Sequence, residues 1–146
     1  MSEVISKWGL KVAERGFSQI PNYLLMLNTF IDPEDRLSAL ELLILIELSG
    51  MWWRDGGNPY PSMKTLAIRC GTSERQVARA IKRLEELNLI RREKRRAKGL
   101  IASNSYSLAP LVETLNEVAV RYPNEFPRKV IKLTGKNASS GSSTQA

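Results

Sequence analysis

The chain has 146 residues, with 22 Lys and Arg against 15 Asp and Glu, a formal net charge of +7, no histidine and a single cysteine. That length supports one domain with a real core plus short extensions, and the basic balance points to a polyanionic partner. The lack of histidine removes the commonest general base and the commonest zinc ligand. Cys70 alone makes neither an intramolecular disulfide nor a thiolate metal site, so the expectation is a non-enzymatic protein without metal or cofactor, held in a reducing cytoplasm.

No membrane segment is expected. The most apolar stretch, Leu37 to Trp53, is interrupted by Glu41 and Glu47 and closed by Arg54, short of the roughly 18–20 uncharged residues a span requires. The opening MSEVISKWGLK lacks the continuous apolar run of a secretion signal.

Residues 1–31 are mixed. Trp8, Val12, Phe17, Ile20, Tyr23, Leu24, Leu25 and Leu27 supply apolar surface without a clean period, and Pro21 breaks any helix through the region. They read as an N-terminal arm, with a short helix near residues 4–15, that packs on the domain; a dimerisation arm is the alternative the residues leave open. Asp32-Pro33-Glu34-Asp35 has the chemistry of a helix start: a capping side chain, proline at the first helical position, and acids against the positive end of the dipole. The run that follows is apolar on nearly all sides, so a helix over 36–53 is expected to be buried by the domain, a partner subunit or both. It should end at Arg54-Asp55-Gly56-Gly57.

After a GNPYP loop, Ser62 is placed to cap a short helix through Cys70. Gly71-Thr72 makes a tight turn in which glycine accepts a positive φ. Ser73, with Gln76 at capping-box spacing, starts a longer helix to about Leu87, and Asn88 ends it in a left-handed conformation. Val77, Ala80, Ile81, Leu84 and Leu87 recur at helical spacing and form one buried stripe. Ala67 sits where the two helices cross closely. Residues 89–94 and 101–108 read as two strands joined by the polar tip Arg95-Arg96-Ala97-Lys98-Gly99, a hairpin over 89–108. Pro110 opens a further helix to about Tyr122, with Leu111, Leu115, Val118 and Ala119 on one face. Residues 134–146 cannot bury a core and are expected to be disordered. The domain reading is therefore an arm (1–31), a helix-and-hairpin domain (32–109), a helical extension (110–133) and a tail (134–146).

The residues Pro61-Ser62, Leu66-Ala67, Gly71, Ser73, Val77, Ile81, Leu84 and Leu89-Ile90 follow the pattern PS-x-x-x-LA-x-x-x-G-x-S-x-x-x-V-x-x-x-I-x-x-L-x-x-x-x-LI. This stretch resembles the winged helix-turn-helix domains of bacterial and mobile-element DNA-binding proteins, nearest to replication-initiator-like and phage or plasmid regulator domains. The match is strong over 61–90 and looser over 17–60. The resemblance implies a mainly α fold with a small β-hairpin, a 74–87 helix that enters the major groove, and a hairpin that contacts backbone or minor groove. Ala80 is smaller than the aliphatic residue often found there.

Charge is distributed to match. From Ser73 to Lys98 there are ten Lys and Arg against four Glu, a net +6 of the chain's +7, whereas Asp32 to Gly50 carries a net −4. On a helical wheel Arg75, Arg79 and Lys82 lie opposite the buried stripe, with Glu86, and Gln76, Ala78 and Arg83 flank them. Arg pairs bidentately with guanine and Gln with adenine, so Arg75, Gln76, Arg79 and Lys82 are the candidate base contacts. Ser62, Lys64, Thr65, Ser73 and Arg83 are the candidate backbone contacts, and Arg91, Lys94, Arg95, Arg96 and Lys98 the candidate wing contacts. The expected function is sequence-specific binding of double-stranded DNA by a transcriptional regulator of a bacterial mobile element, associated with nucleoid or plasmid. The alternatives are a replication or partition protein on repeat arrays, and a winged-helix protein-interaction module. A homodimer through helix 36–53 or the terminal segments, and a protein partner through 110–146, complete the expectations.

Overall fold

The computed structural model describes residues 2–52, 57–94, 96–97, 99–101 and 104–127. Eight helices are described: α1 (Ser2–Trp8), α2 (Leu10–Ala13), α3 (Asn22–Leu25), α4 (Leu27–Phe30), α5 (Ala39–Gly50), α6 (Met63–Cys70), α7 (Glu74–Glu86) and α8 (Ala109–Arg121). Four short strands lie between α7 and α8: β1 (Arg91–Glu93), β2 (Arg96–Ala97), β3 (Leu100–Ile101) and β4 (Ser105–Ser107).

The core helix starts later than the sequence suggests. Asp32 makes no capping hydrogen bond, and Pro33–Asp35 form only a 3-10 turn. The working cap is Ser38, whose Oγ accepts from Glu41 N while Glu41 Oε1 accepts from Ser38 N, a complete capping box. The cause is tertiary. Asn28 holds Leu37 from both sides, accepting from its N–H at 2.7 Å and donating to its carbonyl at 2.9 Å. Leu37 is thereby fixed in the core just ahead of the helix. The expected 36–53 helix is thus Ala39–Gly50, and Trp53 lies outside the described residues.

α5 lies against both α6 and α7, and these three helices enclose the centre of the core. Ile44, Leu45 and Leu48 of α5, Leu66 of α6, and Val77, Ile81 and Leu84 of α7 are fully buried. The core does not stop at residue 32 or at 109. Leu24 and Leu27 are fully buried in the same cluster, as are Phe30, Leu111 and Val118 nearly so. Tyr23 clamps the two ends of the chain together. Its hydroxyl donates to the Tyr122 carbonyl at 2.6 Å, and its ring meets Phe126 edge-on at 4.8 Å and Phe30 at 5.6 Å. The arm helix expected near 4–15 is two pieces, because Gly9 at φ +88 breaks it between α1 and α2.

The hairpin reaches further than its sequence pattern indicates. β1 pairs antiparallel with β4, Arg92 opposite Tyr106, and β2 pairs with β3, Ala97 opposite Leu100. Pairing therefore continues into residues read as a polar tip, with Gly99 at φ +79 allowing the tight reversal. Tyr106 N also donates to the Pro59 carbonyl at 2.9 Å, so the loop before α6 braces the far side of β4. The expected tail, 134–146, lies outside the described residues.

Candidate nucleic-acid interface

The α6–turn–α7 unit is built from local signals that agree with one another. Ser62 Oγ accepts from Thr65 N at 3.0 Å and starts α6; Ser73 Oγ accepts from Gln76 N at 3.1 Å and starts α7. Gly71 takes φ +69, with Thr72 N donating to the Ala67 carbonyl and Gly71 N to that of Ile68. Asn88 takes φ +57, with Leu89 N on the Leu84 carbonyl and Asn88 N on that of Glu85. Both helices thus end in the same left-handed closure. Val77, Ala80, Ile81 and Leu84 are buried, which fixes the rotation of α7 about its axis and sets its opposite face outward.

That outward face carries Arg75, Arg79 and Lys82, all exposed, with Gln76 and Ala78 exposed on its flanks. None of the three cations has a hydrogen bond or ion pair among the described residues. Ser62, Lys64 and Thr65 are exposed at the start of α6, and Ser73 at the start of α7. Ser62 Oγ additionally donates to Thr65 Oγ1 at 3.0 Å, so its hydroxyl already serves the cap. The first two N–H groups of each helix, at Met63 and Lys64 and at Glu74 and Arg75, take no partner among the described residues, as helix starts require unless a ligand supplies one.

Arg83 is differently placed. Its guanidinium donates to Glu41 Oε1 at 2.6 Å, to the Arg36 carbonyl at 3.0 Å and to the Glu34 carbonyl at 3.4 Å. It fastens α7 to the start of α5 and is committed within the chain, which argues against the phosphate role read from its charge. Two more Arg–Glu pairs do similar work: Arg69 with Glu47 joins α6 to α5, and Arg92 with Glu85, at 2.5 Å, joins β1 to α7. The hydrogen bond that Arg92 donates to Glu85 is the main reason its guanidinium holds its proton more tightly than usual. Sequence reasoning missed these pairs, since their members lie 22, 42 and 7 residues apart. Only the last lies within reach of a local pattern.

Of the expected wing residues, Arg91 and Lys94 are exposed at the base of the hairpin. Arg96 falls in β2, and Arg95 and Lys98 lie outside the described residues. Cys70 is half-buried against the core, and burial pushes its thiol up, an unreactive setting. Among the described residues, no group of His, Cys, Asp or Glu is arranged to hold a metal, and no helix is long and apolar enough to cross a membrane.

Residues 35–90 match a family model described as a helix-turn-helix domain. The matched span begins in the 3-10 turn, takes in α5, α6 and α7, and ends where the hairpin begins. Curated proteins give no match. Among solved structures, that of transcriptional regulator PA3341 aligns over 98% of this chain and 87% of its own, at 19% identity and a TM-score of 0.42. Three helices of this arrangement, followed at once by an antiparallel hairpin, make the fold a winged helix-turn-helix, and residues 35–90 are where it is similar to known helix-turn-helix domains.

Proposed function

We propose that this chain binds double-stranded DNA sequence-specifically, with the N-terminal half of α7 in the major groove and the hairpin on backbone or minor groove, and that it regulates transcription in a bacterial mobile element, bound to nucleoid or plasmid in the cytoplasm. The observation that carries the reading is the outward face of α7. Its three cations have no partner among the described residues, while the nearby Arg83 and Arg92 are both held by glutamates. A helix-turn-helix presents this half of its second helix to base edges, and an uncompensated cationic face there is what phosphate attraction and bidentate guanine contact need. Arg75, Gln76, Arg79 and Lys82 are assigned to bases. Ser62, Lys64, Thr65 and Ser73 are assigned to backbone, and Arg91, Lys94, Arg95, Arg96 and Lys98 to the wing. Two half-sites read by two copies fit this class of domain. Charge reversal by Arg75→Glu with Arg79→Glu tests the reading by fluorescence anisotropy on duplex DNA. Loss of binding with an unchanged fold supports it; unchanged binding would place the DNA on another face, and no binding by the wild type would leave a protein-interaction module.

A further inference from the structure

The arm and the core each leave an apolar surface uncovered. α1 and α2 pack chiefly on one another. They leave Trp8 at 56%, Leu10 at 60% and Val12 at 52% exposure. On the core, an open groove of ≈ 1180 Å³ runs between the link that follows the arm, the end of α5 and the start of α8. Phe17, Ile20, Pro21, Trp52, Leu111 and Val112 line it, and Phe17, Trp52 and Val112 are themselves well exposed. The link is seated: a Cβ added to Gly50 would come 3.1 Å from Ser18 Oγ. Between the seated link and the projecting arm stands Gly16 at φ +93, with nothing near its Cα to restrict it. That backbone conformation is open to glycine and strained for other residues, so the turn by which the arm leaves the core depends on glycine at this position.

We infer that two copies of this chain exchange arms, α1–α2 of each lying in the groove of the other. Area selects the reciprocal arrangement. Six half-exposed apolar side chains, three of them aromatic, meet at one arm-in-groove contact, and at roughly 100 Å² each they cover about 600 Å². That is below the roughly 1,200 Å² at which specific interfaces begin, whereas two such contacts related by a two-fold axis reach it. One arm docked on a single partner does not, and no residue of α1 or α2 lines the groove of its own chain. The exchange stands whether or not the DNA reading holds.

The test uses the full chain in sedimentation equilibrium without DNA, with Trp8→Glu on the arm and Val112→Glu in the groove as separate variants. Both side chains are exposed enough that the fold, followed by circular dichroism, should survive. The wild type is expected to be a dimer, and each variant to associate on the order of thirtyfold more weakly or worse. An equimolar mixture of the two variants retains one intact arm-groove contact in the heterodimer, and is expected to associate more strongly than either variant alone. A monomeric wild type at tens of micromolar concentration, or a Trp8→Glu variant that dimerises as the wild type does, overturns the exchange; the second result would place the interface on another face.

Discussion

Arg83→Ala separates an internal fastening from a phosphate contact. Glu41 is 11% exposed in its side chain and Arg83 34%, and one carboxylate oxygen, Oε1, accepts from both Arg83 and Ser38 N. Breaking a fully buried pair costs about 3–5 kcal/mol and an exposed one about 0–1, so this half-buried pair should cost about 2 kcal/mol. For a chain of this size that lowers Tm by roughly 7 °C. Thermal unfolding followed at 222 nm gives the shift, and DNA titrations well below the lowered Tm give the affinity and its salt slope. Both DNA quantities are expected to match the wild type. Adding Glu41→Gln removes the orphaned charge while keeping a capping-box residue, and should recover about half of the lost stability. The reasoning is refuted by the opposite pattern: an unchanged Tm with a salt slope shallower by about 0.9, the signature of one lost phosphate contact.

Three further outcomes are expected. Arg79→Ala should relax preference at one base position, whereas Arg96→Ala should weaken all sequences alike and lower the salt slope; equal effects on specificity, read by competition among variant sites, would contradict the division of roles. Gly71→Ala meets no neighbour within 4 Å but must hold φ +69, so it should cost about 1 kcal/mol from backbone strain alone, measured by urea unfolding. Burial pushes the Tyr106 phenol above its ordinary value, with Arg92 opposing. The folded chain then holds that proton more tightly than the unfolded one, so the stabilisation is complete below about pH 10 and is lost as pH rises through the folded value. Tyr106→Phe should flatten the alkaline fall in stability, and an unchanged alkaline limb would show that another group controls it.

The helix-turn-helix was legible because its signals are short-range and redundant. Ser62, Gly71, Ser73 and Asn88 each dictate a local conformation, and the Val77–Leu84 stripe has a clear period. The start of α5 was not. Asp32-Pro33 is a genuine start signal that yields only a 3-10 turn, because Asn28 fixes Leu37 in the core and the next cap, Ser38 with Glu41, takes over. Residues 22–30 gave no period because they form two four-residue helices with a break at Met26, too short to show one. Their burial beside α8 depends on contacts about a hundred residues apart in sequence, such as Tyr23 with Tyr122. Arg83 shows the limit for site residues. A wheel places its charge on the flank of the outward face, but cannot see a carboxylate 42 residues away that claims it.

The central claim, specific readout of DNA by α7, is tested most directly by selecting bound sequences from a random duplex library at near-physiological salt and titrating the selected site against scrambled DNA. The account predicts a defined motif bound at least about a thousandfold more tightly than scrambled duplex. A palindrome would favour promoter control, and direct repeats a replication or partition array. No enrichment, with only weak and salt-sensitive binding, would contradict the claim and leave the cationic face of α7 without a sequence to read.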